Sequence, residues 1–245
     1  MGIPRLVGQV ERRLLINYRA APEVVARLLP PRLRAQVIGD WAVVGICMIR
    51  LGAMRPAGLP RALGFESENA AHRIAVEWDG PSGVERGVYI PRRDTSSAIN
   101  VVVGGRVFPG VHHRADFDVD ETAESFRVGF RARDGSAQVS VVACVADELG
   151  GRLFRDVDDA SAFFRAGSIG LSPARAGEGL ETLELRTDRW EVEPLSVMGV
   201  RSSFFDGPER FPDGSIEFDC GLLMRDIPVV WSSPSIDNVA EMSYT

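Results

Sequence analysis

Few residues in this 245-residue chain can do chemistry, and their types narrow what that chemistry is. His113 lies in Val111-His112-His113-Arg114-Ala115-Asp116-Phe117. Val111, His113, Ala115 and Phe117 share one parity; His112, Arg114, Asp116 and Asp118 share the other. Alternate side chains of a strand point to opposite faces, so His113 is expected on the inner, apolar face and His112 on the polar one. An imidazole in a pocket titrates near neutral pH and suits general acid or base work. The alternative is a buried neutral ring hydrogen-bonded for packing. Glu66 and Glu68 also share a parity, which a continuous strand extends to His72, with Arg73 and Glu77 on the opposite face. An unpaired carboxylate facing an enclosed interior has a raised pKa, which suits a second proton-transfer group. The alternative is a loop carboxylate that caps or faces water. Tyr89 offers a hydroxyl to a ligand, against core packing. Arg92-Arg93-Asp94 offers an anion site at a strand end, against simple solvation.

Other chemistries fit poorly. Asp116, Asp118 and Asp120 have calcium-loop spacing, but Glu121 and Arg127 stand where such a loop needs glycine and glutamate. His112 and His113 diverge on a strand and cannot readily share a zinc ion, so no metal and no cofactor are expected. Phosphate-binding, dinucleotide-binding, nucleophile-elbow and Cys-x-x-Cys motifs are absent. Cys47, Cys144 and Cys220 are few and far apart, which predicts a reducing compartment, with Cys47 and Cys144 as inert core residues. All 28 basic side chains are arginine. With no lysine, no side chain can form an imine with a carbonyl compound. The net charge of -6 argues against nucleic acid and anionic lipid as partners. No signal-peptide pattern and no apolar run long enough to span a bilayer is present, which predicts a cytoplasmic protein.

The elements that must position these residues are strands. Period-two alternation recurs at Leu14–Tyr18, Ile74–Trp78, Val84–Ile90, Ile99–Val103, Phe126–Phe130 and Val139–Val145. Turn signals separate the runs at Gly39-Asp40, residues 79–83, Asp134-Gly135 and Pro212-Asp213-Gly214. Asp134-Gly135 between two alternating runs predicts a hairpin. Short helices are expected over Pro22–Leu29 and Asp156–Ala166. The sum is a mostly β (α+β) chain forming one domain, residues 1–245, whose large antiparallel sheet must curl or close around an interior that can hold a ligand.

Three stretches carry a resemblance. Leu14-Leu15-Ile16-Asn17-Tyr18-Arg19, followed by Pro22-Glu23-Val24-Val25 and Leu28-Leu29-Pro30-Pro31-Arg32-Leu33, resembles the first strand, helix and Leu-Pro turn of the acetoacetate decarboxylase-like superfamily. Residues 105–113, Gly-Arg-Val-Phe-Pro-Gly-Val-His-His, are similar to the Gly-Arg-Glu segment that leads to that superfamily's catalytic lysine. Asp219-Cys220-Gly221-Leu222-Leu223-Met224-Arg225-Asp226-Ile227-Pro228 looks like its YqjF-like branch of uncharacterised bacterial proteins. The resemblance implies a closed or cone-shaped β-barrel with a buried pocket, and an oligomer. It places Arg106 as a clamp for a substrate carboxylate, or as a loop brace, and an acidic pocket residue at Glu66 or Glu68. Superfamily enzymes activate a lysine for imine formation. Here that lysine falls on His113, with Arg114 after it, and a second acidic position near Val44-Gly45 is apolar. Decarboxylation by the superfamily's imine route is therefore excluded. Two readings follow. One is an enzyme that binds a carbonyl or carboxylate metabolite and uses His113 with Glu66 or Glu68 as acid and base, with Arg106, Tyr89, Arg92 and His72 around the substrate. The other is a non-catalytic binder of small ligands on the same scaffold.

Overall fold

A computed structural model describes residues 5–81, 83–98, 110–175 and 179–232. The strands are β1 (Leu6–Ala20), β2 (Arg34–Ala35), β3 (Val37–Ile38), β4 (Trp41–Pro56), β5 (Phe65–Gly80), β6 (Gly83–Thr95) and β7 (His112–Glu121). They continue with β8 (Ser125–Ala132), β9 (Gln138–Val145), β10 (Ile169–Pro173), β11 (Leu180–Arg186), β12 (Glu193–Ser202) and β13 (Ile216–Ser232). Among the described residues two α-helices interrupt them, α1 (Pro22–Ala26) and α2 (Val157–Ala166). The first stops short of the expected Leu29 because the residue before a proline is disfavoured in helical conformation, and Pro30-Pro31 follow directly. The second opens on Asp156, whose carboxylate accepts the backbone N–H of Asp159 at 2.8 Å.

All the strands belong to one sheet, in the order β11-β10-β6-β7-β8-β9-β12-β13-β1-β4-β5-β2, with β3 on β4. The expected turns are in place. Gly80 pairs with Gly83 at the β5–β6 hairpin. Gly135 turns between β8 and β9 at φ 72°, a conformation that favours glycine. Two further pairings, β5 with β6 and β11 with β13, close the sheet on itself twice. One ring runs β6-β7-β8-β9-β12-β13-β1-β4-β5; the other runs β6-β10-β11-β13-β1-β4-β5. Five strands, β13, β1, β4, β5 and β6, are common to both.

These shared strands are buried on both faces, which is why they read as apolar runs, Leu14-Leu15-Ile16 or Leu222-Leu223, and not as alternation with polar residues. Each face feeds its own core. Leu14, Ile16, Val44, Ile46 and Ile74 join Phe126, Val128 and Phe130 inside the nine-strand ring. Leu15, Val43, Cys47 and Leu222 join Phe154, Phe164, Leu183 and Trp231 inside the seven-strand ring. Val10 belongs to the second core despite its even number, because the β1–β4 register shifts between Val10 and Arg12.

Close approach within the shared strands fixes one glycine. A Cβ on Gly45 would lie 2.3 Å from the carbonyl oxygen of Ile16. Gly45→Ala is expected to destabilise the protein by about 1–3 kcal/mol, the usual range for overpacking, read as a lowered urea midpoint at unchanged m-value. The same contact explains why the acidic residue implied near this position has no room at Gly45.

Candidate functional site

The seven-strand ring encloses a cavity of about 120 Å3. A dry cavity of about 150 Å3 holds benzene, so this one suits a ligand of about six heavy atoms. Every strand of the ring lines it: Arg13 from β1, Cys47 from β4, Asn69 and Arg73 from β5, Ile90 and Arg93 from β6, Gly170 from β10, Leu183 from β11 and Trp231 from β13. Phe164 of α2, Trp190, His112 and Asp94, whose carboxylate is taken up by Arg92, also border it.

Three guanidiniums define the electrostatics. Arg73 is 2% exposed. It donates to the side-chain oxygen of Asn17 and lies with Cζ 4.6 Å from the Phe164 ring centroid. Arg13 donates through Nη2 to Cys47 Sγ at 3.4 Å and through Nη1 to Met224 Sδ at 3.7 Å. Arg93 donates through Nε and Nη2 to the Ser172 hydroxyl at 3.2 and 3.1 Å. Among the described residues none of the three forms a salt bridge, whereas Arg12, Arg19, Arg34, Arg50 and Arg92 all do. Burial pushes the Arg93 pKa down to about 10 and lowers that of Arg73 as well, since a charge in a low-dielectric site is disfavoured. Burial alone would raise the Cys47 thiol, but Arg13 and Arg73 outweigh it and hold the thiol below its ordinary value. Several N–H donors of the wall have no partner among the described residues: Arg13 Nε, Arg73 Nε and Nη1, and Trp190 Nε1. A small apolar cavity bordered by unfilled donors, without a carboxylate paired to its cations, presents an environment for an acceptor-rich anion.

The residues singled out in the sequence are scattered around this cavity. His113 shares a face with Ala115 and Phe117 as alternation requires, but that face belongs to the nine-strand ring. At the start of β7 its ring sits 32% exposed, with Nδ1 3.1 Å from Asp134 Oδ2 in the β8–β9 turn. The neighbouring His112, expected on the polar face, is the histidine that lines the cavity. The inner-or-outer reading of β7 could not foresee two interiors, one on each side of the shared strands.

Glu66 is exposed. Glu68 is held in an ion cluster with Arg12, with Arg50 at 2.7 Å, and through both arginines with Glu121. Arg12 reaches Glu121 at 2.8 Å, so the cluster joins β1, β4 and β5 to β7 across the nine-strand ring. Glu68 is thereby paired with two guanidiniums. His72 is fully buried in the nine-strand core, its ring centroid 4.6 Å from that of Phe204 and 5.7 Å from that of Phe205, with the Ser202 hydroxyl 3.4 Å from Nε2. Arg73 does lie on the face opposite His72, as the strand parity required, and that puts it in the cavity. Arg92 makes a two-pronged pair with Asp94, at 2.8 and 2.7 Å, and Tyr89 is a core residue of the nine-strand side. Arg106 lies outside the described residues. Alternation gave no means of finding Arg13, Cys47 and Arg93 together, because register pairing across three strands assembles them. No group of three or more His, Cys, Asp or Glu side chains among the described residues is placed to hold a metal ion. No helix among them is long and apolar enough to cross a membrane.

The architecture is similar to the acetoacetate decarboxylase-like fold. An acetoacetate decarboxylase from Legionella pneumophila aligns with TM-score 0.58 and 12% identity, over 95% of this chain and 86% of that one. An acetoacetate decarboxylase-like enzyme from Sphingomonas wittichii RW1 aligns with TM-score 0.61 and 14% identity, over 93% and 89%. The enduracididine biosynthesis enzyme MppR, in complex with pyruvate, aligns with TM-score 0.62 and 10% identity, over 96% and 90%. At such identities the likeness establishes the fold alone. Among curated proteins none matches the sequence. Residues 9–203 match the model of family DUF2071, described as an uncharacterized conserved protein (COG2071), and the chain belongs to that family.

Proposed function

We propose that this protein binds a small carboxylate, of the size of an α-oxo acid, in the cavity of the seven-strand ring. The observation that carries the reading is the set of three cavity guanidiniums, buried Arg73 with half-buried Arg13 and Arg93, without ion-pair partners among the described residues. Leaving cations in a low-dielectric interior costs several kcal/mol per charge unless an anion accompanies them. A ligand carboxylate supplies that anion, and the planar forks of arginine suit its geometry. The pyruvate bound to MppR, on the same fold, supports the size and charge of the ligand.

Chemistry in this site proceeds without an imine, because the chain has no lysine. The acid–base group we assign to it is His112, which borders the cavity, in place of His113, which is engaged with Asp134. We infer one domain, residues 1–245, whose interior serves this single ligand site. Thermal unfolding with added ligand tests the reading. Pyruvate at millimolar concentration is expected to raise Tm, by linkage to the folded state, while acetone, which lacks the carboxylate, leaves it unmoved. Arg93→Met is expected to weaken pyruvate binding by about 10- to 100-fold, the range for a hydrogen bond to a charged group. A wild-type Tm unmoved by pyruvate and by other two- to four-carbon carboxylates would end the proposal.

A further inference from the structure

We propose that Cys47 is a nucleophile that attacks the electrophilic carbon of the bound carboxylate compound, making a reversible covalent adduct with an α-oxo acid. This deepens the cavity reading above and rests on it.

Register sets the geometry. Cys47 faces Leu15 on β1 and Ala71 on β5 as direct neighbours, which places Arg13 and Arg73 on its two opposite diagonals, all on one face of the sheet. Diagonal neighbours in a sheet are within reach of long side chains. Arg13 takes up that reach by donating to the sulfur at 3.4 Å. On the other side, Arg73 leaves Nε and Nη1 without partners among the described residues, although its side chain is almost completely buried. The sulfur therefore sits beside two guanidiniums that each keep at least one N–H without a partner among the described residues, in the wall of a cavity of ligand size. Such surroundings favour the thiolate, the reactive form of cysteine. The other two cysteines differ. Cys220 has its pKa pushed up to about 12, first by burial and then by Asp219, and Cys144 lies on β9, away from the cavity.

In the proposed step the thiolate sulfur forms a bond to the oxo carbon of the ligand. The carbonyl π bond breaks and its electron pair moves to oxygen, where guanidinium N–H groups hold the oxyanion until it takes a proton from water. No oxidant or reductant is needed, and the reverse sequence releases the ligand. The carboxylate of the same ligand is held by the remaining arginines. The substrate class is thus an anion with an electrophilic carbon next to its carboxylate.

Alkylation of the folded wild-type protein tests this, with iodoacetate and iodoacetamide as probes and peptide mass spectrometry as the readout for each cysteine. For an ordinary thiolate the anionic reagent is repelled and reacts more slowly. Cys47 is expected to invert that order, with iodoacetate the faster by about tenfold, the scale on which a charged site concentrates its counter-ion. Cys144 keeps the ordinary order, and pyruvate protects Cys47. Arg13→Met and Arg73→Met should each remove the inversion, and two variants guard against one of them failing to fold. If Cys47 resists both reagents while pyruvate still raises Tm, the nucleophile is overturned and the anion cavity stands. If Cys47 reacts without preference for iodoacetate and pyruvate neither protects it nor raises Tm, both fall together.

Discussion

Arg73→Met should yield a protein that is more stable than the wild type and that no longer binds carboxylates. Arg73 is one of the largest fully buried side chains, and two of its guanidinium nitrogens make no hydrogen bond among the described residues. Replacing buried ions by apolar residues of similar volume is commonly neutral or stabilising by about 1–4 kcal/mol. Against that gain stand the contact with Phe164 and the hydrogen bond to Asn17, whose carbonyl oxygen loses its donor. An orphaned acceptor costs about 1–3 kcal/mol, so the expected net gain is at the low end, about 1 kcal/mol, or a Tm rise of about 2–4 °C. Affinity for pyruvate should fall by about 100-fold, since a charge-assisted contact from the cavity wall is lost. A merely structural arginine would move the other way, losing stability on substitution. Thermal unfolding of both proteins with and without pyruvate separates the cases, and a variant that is less stable yet binds pyruvate normally would refute the assignment.

Acid should destabilise the protein through His72 before most carboxylates protonate. Burial first, then the positive charges of Arg92 and Arg210, push the His72 pKa down to about 3 from an ordinary value of 6.5. Around the ring stand Phe130, Phe204, Phe205 and the Ser202 hydroxyl, none of which stabilises an imidazolium as a carboxylate would. The unfolded chain binds the proton below pH 6.5 and the folded protein does not, so stability rises with pH in this window and is lost as pH falls from about 6.5 toward 3. At about 1.4 kcal/mol per pH unit the loss is on the order of 3 kcal/mol by pH 4. His72→Leu removes the titrating group. Its stability, whatever its constant offset, should decline less steeply than that of the wild type between pH 7 and pH 4. Urea midpoints at pH 7, 6, 5 and 4 give both slopes, and parallel curves would show that His72 does not carry the acid sensitivity.

The contrast between these two residues shows what alternation can and cannot disclose. Strand parity put His72 and Arg73 on opposite faces, and they are on opposite faces. The turns at Gly39, Gly80 and Gly135, the strand-rich class and the capped helix over residues 157–166 were likewise local facts, written in residue types a few positions apart. The superfamily resemblance, from short motifs at residues 14–33, 105–113 and 219–228, indicated the same fold as the structural comparison. The site was another matter. Reading a strand as having one inner and one outer face assigned the interior to His113, Ala115 and Phe117, but the sheet closes twice and has two interiors. Cys47 looked inert because its sequence neighbours Ile46 and Met48 are apolar, while the arginines that change its character come from β1 and β5. Glu68 looked like an unpaired acid because its partners Arg12 and Arg50 come from β1 and β4, far away in sequence.

The five strands common to both rings act as a partition between two chambers, each with an apolar core, and only one of them holding arginines without carboxylate partners among the described residues. A slip of one residue in β1 would exchange Arg13 and Leu14 between the two chambers, spoiling both at a stroke. Ordinary strands have one dry side to enforce their alignment; these have two, each vetoing the other's errors. Single-residue insertions or deletions in the partition should therefore be the least tolerated changes in the molecule, far less so than at the hairpin tip around Gly135.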